Sequence, residues 1–134
     1  MNDAERLEIL EEILNELESL SETHIALIEG NKDRRSLDNL GLCKLRTIEV
    51  QREGGPLKAA ERLYEMNMPA VILTDWDERG NRIEKELREQ LDSLCIEYNI
   101  DIRSRLRDIC IKDIKDVESL DSLYGRLKSV SKNL

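Results

Sequence analysis

The sequence predicts a Rossmann-like α/β fold, in which a parallel sheet of about four strands carries helices on both faces. Helical periodicity and short β-branched runs alternate in the order helix, then strand and helix four times, as in parallel sheets. Two of these apolar runs change abruptly into carboxylates and a glycine, which is typical of buried strands at the carboxyl edge of such a sheet. The length of 134 residues suits one compact domain with extra N-terminal and C-terminal helices.

The first 22 residues form an acidic amphipathic segment. Leucines recur at steps of three and four from Leu7 to Leu17, which predicts a helix over residues 3–20. Eight acids and one base give residues 1–22 a charge of −7, whereas the rest of the chain carries 21 acids and 20 bases. The helix has two interpretations. Its apolar stripe packs on its own domain, or it binds a protein partner or a second copy of the chain.

The predicted core domain covers residues 23–105. Strands are expected where β-branched and apolar residues cluster between turn residues, and helices where apolar residues recur at helical spacing. In chain order these are a strand at 24–28, a helix at 31–40, a strand at 44–50, a helix at 56–66, a strand at 70–73, a helix from 78 to about 98 and a short strand at 98–102. Residues 106–134 are expected to form a C-terminal helical extension, with a break near 112–119.

The composition limits the class of protein. No apolar run approaches the length needed to span a bilayer, and the acidic first residues are unlike a signal peptide. We therefore expect a cytoplasmic protein without a membrane association. The net charge of −8 argues against a nucleic-acid partner. That objection is weak, because nearly all of the excess negative charge lies in the first 22 residues.

Carboxylates follow two predicted strands at the same edge of the sheet. Glu29 ends the first strand, and Asp75 and Asp77 follow the third. Because parallel strands end at one edge, we expect the three side chains to lie close together. Crowded acids need protonation, a basic neighbour or a metal, and Mg²⁺ binds through one or two carboxylates plus phosphate. The sequence therefore predicts a Mg²⁺ site, with Mn²⁺ as an alternative ion. Either aspartate could instead cap the next helix.

The segments LIEGNKD at 27–33 and VILTDWDERG at 71–80 resemble the two motifs of the Toprim domain. In that family a glutamate follows a hydrophobic strand, often as E-G-x-x-D, and D-x-D follows another strand with a glycine after it. The family includes parts of topoisomerases, primases, OLD-family nucleases and ribosomal-RNA maturases. The match covers roughly residues 23–105, and within the family the chain more closely resembles the small stand-alone Toprim proteins of archaea and bacteria.

The resemblance implies roles for the matching acids. Asp75 and Asp77 would bind Mg²⁺. Glu29 would act as a general acid or base, or complete the metal site.

Smaller roles are expected of the other motif residues. Asp33 would support the first loop through hydrogen bonds, and Gly30 would let the chain turn tightly beside the metal. Gly80 would leave space near the same crevice. Trp76 cannot face the metal that its neighbours bind, so it is expected to cover the sheet edge by packing or to offer a platform for a base.

Three basic residues are candidates for binding phosphate, each with a structural alternative. Lys32 lies in the first motif and could equally belong to a solvated helix face. Arg79 lies beside the D-x-D motif and could merely screen a neighbouring acid. Arg103 follows the fourth predicted strand, and a guanidinium grips phosphate with two parallel bonds. Its alternative is an ion pair with Asp101 or Asp108.

Two functions are compatible with these residues. The Toprim resemblance implies a Mg²⁺-dependent protein that acts on nucleic-acid phosphodiesters, as a nuclease or an RNA- or DNA-processing factor. The alternative is a non-catalytic module that binds Mg²⁺ and phosphate and interacts with nucleic acid or protein. In that case the acidic helix over residues 3–20 would recruit a partner or form a homodimer.

Overall fold

The structure, a computed structural model that describes residues 1–132, confirms the predicted α/β fold. Four parallel strands lie in the order β2-β1-β3-β4. The strands are β1 (Ile25–Ile28), β2 (Thr47–Glu49), β3 (Ala70–Ile72) and β4 (Tyr98–Asn99). The helices are α1 (Asp3–Ser19), α2 (Asn31–Asn39), α3 (Val50–Glu53), α4 (Pro56–Met66), α5 (Glu78–Ser93), α6 (Asp101–Cys110) and α7 (Leu120–Lys132).

The two central strands, β1 and β3, form the switch point of the sheet. The chain leaves β1 through α2 and adds β2 on one side. It then returns through α4 and adds β3 on the other side of β1, where Leu27 is paired with Ile72. In open α/β sheets, ligands bind outside the carboxyl ends of the strands at such a point. The loops that follow β1 and β3 are therefore neighbours.

Hydrophobic cores cover both faces of the sheet, as predicted. Successive strand residues point to opposite faces, so Ala26 and Ile28 of β1 enter one core, while Ile25 and Leu27 enter the other. Helices α1, α2, α6 and α7 complete the first core. Helices α4 and α5 complete the second.

Helix α1 is part of the first core. Its side chains Leu10, Ile13 and Leu17 are fully buried, and the helix packs against α6 and α7. This confirms the interpretation of the segment as a helix packed on its own domain. A protein partner or a second copy cannot use this leucine stripe, because the domain already covers it.

Two element boundaries differ from the prediction because local capping ends the elements earlier. The helix expected to reach residue 98 ends at Ser93, where Cys95 adopts a φ of 56°, a left-handed conformation that terminates helices. The strand expected over 98–102 ends at Asn99. The Asn99 side chain accepts the backbone N–H of Ile102 at 3.1 Å and so starts α6.

The predicted strand over 44–50 is shortened to β2, and its last predicted residue, Val50, begins α3 instead. The predicted boundary at 105/106 falls inside α6, so the C-terminal extension begins within a helix of the first core. The predicted break in that extension is confirmed as the α6–α7 connector (residues 111–119). The last two residues of the extension lie outside the described residues. Among residues 1–132, every helix is too short or too polar to cross a bilayer.

Candidate functional site

The structure brings Glu29 and Asp75 together at the carboxyl ends of β1 and β3. Glu29 follows β1 directly and is only 5% exposed. Its Oε2 accepts the backbone N–H of Asp75 at 2.8 Å, although the two residues are 46 positions apart. This hydrogen bond joins the two sequence motifs across the switch point of the sheet.

Asp33 supports the first motif from within α2. Its side chain is 5% exposed, and Oδ2 accepts the backbone N–H of Gly30 at 3.0 Å. Because Gly30 directly follows Glu29, this hydrogen bond fixes the loop that carries the buried glutamate. It is the hydrogen bond to the loop that was expected of Asp33.

Gly30 itself occupies a different conformation from the expected one. Its φ of −156° is extended backbone that any residue adopts, so the expectation of a turn that needs glycine is wrong. A Cβ there would lie 3.3 Å from Oε1 of Gln51, the end of an exposed side chain, so a small shift of that side chain would make room for it.

The second motif forms a loop after β3, here called the D-x-D loop (residues 74–77), and the α6–α7 connector is hydrogen-bonded to it. Asp75 Oδ1 accepts the backbone N–H of Val117 at 3.0 Å. The backbone N–H of Trp76 donates to the carbonyl of Lys115 at 2.9 Å. The Trp76 indole N–H donates to the carbonyl of Ile114 at 2.8 Å, and the side chain is buried. Trp76 therefore packs at the sheet edge and does not form an open platform for a base.

Asp77 takes the structural role that its position before a helix allows. Its Oδ1 accepts the backbone N–H of Gly80 at 2.6 Å and caps α5. Within residues 1–132, no three His, Cys, Asp or Glu side chains form a group that could hold a metal ion. The expected cluster of Glu29, Asp75 and Asp77 is therefore not formed, because the start of α5 orients Asp77.

Gly80 is required by a close approach of α5 to the D-x-D loop. A Cβ at this position would lie 1.9 Å from the backbone oxygen of Asp75. The hydroxyl of Thr74 also donates to the Gly80 carbonyl at 3.0 Å. The space that Gly80 leaves is thus filled by the main chain of the motif itself.

The acids of the site repel one another in a buried setting. Burial raises the pKa of Asp75 to about 8; the Val117 N–H opposes this, and the charges of Asp33 and Glu29 add to it. Burial also raises the pKa of Asp33 to about 6; the Gly30 N–H opposes this, and the charge of Glu29 adds to it. A nearby cation would favour the charged forms of these groups.

Two carboxylates remain side by side at the switch point, fewer than the three that the sequence predicted. Glu29 and Asp75 supply carboxylate oxygens from adjacent loops, and Mg²⁺ is usually bound through one or two carboxylates and several waters. Asp116 and Glu118 of the α6–α7 connector add negative charge close to Asp33. The crowded negative charge at this point of the sheet is what a bound cation would offset.

Arg103 lies beneath the D-x-D loop and is 5% exposed. Its Nε donates to the Thr74 carbonyl at 2.9 Å. Its Nη2 donates to the Asp75 carbonyl at 2.5 Å and to Asn81 Oδ1 at 2.7 Å. The nearest carboxylate oxygen belongs to Glu84, 3.9 Å from Nη1. The prediction that Arg103 contacts phosphate is therefore wrong, because the guanidinium is buried and bonded to the loop.

The other two basic candidates are exposed at the starts of helices. Lys32 lies in the first turn of α2, and its Nζ is 3.9 Å from Glu118 Oε1, an exposed pair of small energetic value. Arg79 lies in the first turn of α5. Helix N-termini attract anions, so both side chains are placed where a phosphate group could be held.

Sequence reasoning missed two parts of this site. The α6–α7 connector carries no motif, and its link to Asp75 uses a backbone N–H, which any residue except proline provides. Asn81 was also missed, although it follows the D-x-D motif at helical spacing from Asp77. That spacing was the one available signal.

A solved structure of a protein from Aquifex aeolicus has the same fold. It superposes with a TM-score of 0.69 at 23% identity and covers 82% of this chain and 96% of that protein. At this identity the likeness concerns the fold alone.

Several archaeal proteins are similar in sequence, while no family model matches the chain. A UPF0292 protein of Methanosarcina acetivorans is 35% identical over 125 residues, covering 92% of this chain and 85% of that protein. A UPF0292 protein of Thermococcus gammatolerans is 35% identical over 116 residues, covering 86% and 85%. One from Methanocaldococcus jannaschii is 30% identical over 126 residues, covering 94% and 98%. Since these identities extend over most of both chains, the chain belongs to the UPF0292 family.

Proposed function

We propose that this chain is a Toprim-type, Mg²⁺-dependent protein that acts on nucleic-acid phosphodiesters as a nuclease or an RNA- or DNA-processing factor. The observation that carries the proposal is the hydrogen bond from the Asp75 N–H to Glu29. It joins the glutamate of one motif to the first aspartate of the other at the ligand-binding edge of the sheet. The raised pKa values of Asp75 and Asp33 further support a place for a cation.

In this proposal the acidic residues have different roles. Glu29 and Asp75 hold Mg²⁺, while Asp77 caps α5 and stays outside the metal site. When bound, the ion would polarise a phosphate oxygen and stabilise charge on the leaving oxygen. Glu29 moves a proton as general acid or base. The Asp75 N–H bonds to Oε2, so in this proposal the other carboxylate oxygen, Oε1, takes part in the proton transfer.

In this proposal two exposed basic side chains beside the acids bind phosphate. Lys32 and Arg79 lie in the first turns of α2 and α5. These helices begin directly after the two loops that carry the acids, so their N-termini and the two cations favour an anion at the same place. In this way a chain of net charge −8 can still attract a phosphodiester locally.

Cleavage assays with matched variants test the proposal. Labelled RNA and DNA, single- and double-stranded, are incubated with the protein in Mg²⁺, in Mn²⁺ and in chelator. We expect cleavage that needs the metal and falls by about a hundredfold or more in Asp75→Asn and Glu29→Gln, the scale of losing a catalytic acid or base. Asp108→Asn is the control, because Asp108 is exposed on α6. Cleavage that survives Asp75→Asn unchanged refutes the proposal.

The alternative is a non-catalytic module that binds Mg²⁺ and phosphate. The capping role of Asp77 favours it, since this leaves the site with fewer free carboxylates than a two-metal clamp needs. Calorimetry separates the cases. Heat of Mg²⁺ binding that Asp75→Asn abolishes, without cleavage of any nucleic acid, supports the module. Absence of both heat and cleavage refutes both functions.

A further inference from the structure

A buried guanidinium lies under the candidate site. Arg103 is 5% exposed, and burying a charge is costly unless it is well paired and hydrogen-bonded. The closest carboxylate oxygen, on Glu84, is 3.9 Å away. The short contacts of Arg103 go instead to uncharged oxygens of the D-x-D loop and of Asn81.

The carbonyl oxygens of Thr74 and Asp75 lie beyond the point where β4 is paired with β3, so no strand backbone donates to them from that side. Strand β4 is paired with β3 only at Ala70 and Val71, so it offers no backbone N–H alongside residues 74 and 75. Arg103 comes from the first turn of α6, directly after β4, and bonds to both carbonyls. The side chain thus continues the ladder of hydrogen bonds beyond the last paired strand residues.

The same guanidinium joins the loop to the next helix. Asn81 lies in the first turn of α5, and its Oδ1 accepts from Nη2 of Arg103 at 2.7 Å. The planar guanidinium of Arg103 therefore holds the D-x-D loop next to the start of α5. The donors of a lysine ammonium all lie on one nitrogen atom, whereas those of a guanidinium are spread over a rigid plane. A lysine therefore cannot form all three of these hydrogen bonds.

We propose that Arg103 is a positioning residue of the site: it holds the main chain of the D-x-D loop so that Asp75 faces Glu29, and it places a fixed positive charge beneath both acids. The effect on Mg²⁺ affinity rests on the proposed function. The effect on the loop does not, because the three hydrogen bonds exist without a metal. Burial lowers the pKa of Arg103, and the charges of Glu84, Asp75 and Glu29 oppose this change. The acids of the site are thus among the groups whose negative charge stabilises the guanidinium.

The chain contains its own reporter for the loop. Trp76 is the single tryptophan, lies inside the D-x-D loop, and is 4% exposed. Quenching of its fluorescence by acrylamide therefore measures the order of this loop, with or without metal.

The test compares Arg103→Lys with two controls in the full chain. Arg107→Lys makes the same change one turn later on α6, where the side chain pairs with its exposed neighbour Asp108. Leu63→Val lowers stability from the opposite face of the sheet, because Leu63 belongs to the second core. Each variant is measured for thermal unfolding, for acrylamide quenching of Trp76 and for the calorimetric Kd of Mg²⁺.

We expect Arg103→Lys to raise the quenching constant severalfold and to weaken Mg²⁺ binding by about tenfold or more, the scale of one lost charged hydrogen bond. Arg107→Lys should match the wild type in both. Leu63→Val should unfold at a lower temperature with both values unchanged. Wild-type quenching and affinity in Arg103→Lys would overturn the proposal.

Two further outcomes are decisive. If Arg103→Lys does not fold, Asn81→Ala replaces it, since it removes one of the three acceptors from an exposed residue. A smaller rise in quenching then supports the proposal, and no rise overturns it. If the wild type binds no Mg²⁺, the proposed function fails, and the Trp76 quenching alone decides whether Arg103 positions the loop.

Discussion

Replacing Gly80 by alanine should displace the D-x-D loop. The added Cβ would lie 1.9 Å from the backbone oxygen of Asp75 and 2.4 Å from its carbonyl carbon, whereas real Cβ contacts are essentially never shorter than 3.0 Å. The main chain must therefore move by about 1 Å. Backbone atoms line the clash, so no side-chain rotation relieves it.

The energetic cost follows from the hydrogen bonds that this movement strains. They are the Arg103 bond to the Asp75 carbonyl at 2.5 Å, the Asp77 cap at 2.6 Å and the Thr74 bond to the Gly80 carbonyl at 3.0 Å. Losing two or three such bonds costs about 3–5 kcal/mol, and the better helix propensity of alanine returns about 1 kcal/mol. We expect a net loss of about 2–4 kcal/mol in the free energy of unfolding.

Gly125→Ala is the matched control for this change. Gly125 lies in α7, and a Cβ there meets nothing within 4 Å. The same substitution should therefore stabilise the protein by about 0.5–1 kcal/mol, because glycine weakens a helix interior. Urea unfolding of both variants, followed by circular dichroism and by Trp76 fluorescence, shows whether each substitution raises or lowers the free energy of unfolding. Wild-type stability in Gly80→Ala, or shifts of the same sign in both variants, would refute the reasoning.

Three further predictions concern the acids and the loop. In metal-free buffer the free energy of unfolding should fall as the pH rises from 5 to 8, because the raised pKa values of Asp33 and Asp75 make the folded state hold protons that the unfolded chain has released. Urea titrations at several pH values should show that the free energy of unfolding falls by at most about 1.4 kcal/mol per pH unit for each proton involved. In Asp75→Asn this free energy should change less between pH 6 and 8 than in the wild type. A wild-type free energy of unfolding that rises over this range would contradict the assignment. Millimolar Mg²⁺ should raise Tm at pH 8 and much less at pH 5, since protons compete with the metal, and equal shifts at both values would count against a carboxylate site. Trp76→Phe should cost about 1 kcal/mol in urea titration, because the Ile114 carbonyl loses its indole donor; an unchanged midpoint would show that this bond contributes nothing.

The periodic patterns in the sequence determined the layers of this fold. The leucine stripe of α1 is buried where the spacing of Leu10 and Leu17 requires it, since a helix with an apolar stripe must cover that stripe. The β-branched runs became the central strands β1 and β3. The switch from apolar residues to acids placed Glu29 and Asp75 at one edge, because parallel strands end together.

Element ends were less predictable than element types, since capping competes with propensity over single residues. Asn99 illustrates this. It is the last residue of β4, and its side chain accepts the Ile102 N–H in the first turn of α6, so the strand ends there and the helix begins two residues later.

Only the tertiary structure decided which of the polar side chains meet. Asp77 and Arg103 both looked like ligand-binding residues by position, yet one caps α5 and the other is buried under the D-x-D loop. The Val117 N–H that binds Asp75 has no signature at all in the sequence. The physical reason is that periodicity specifies the face on which a residue lies. The partner of a polar group depends instead on how chain segments distant in sequence end beside one another.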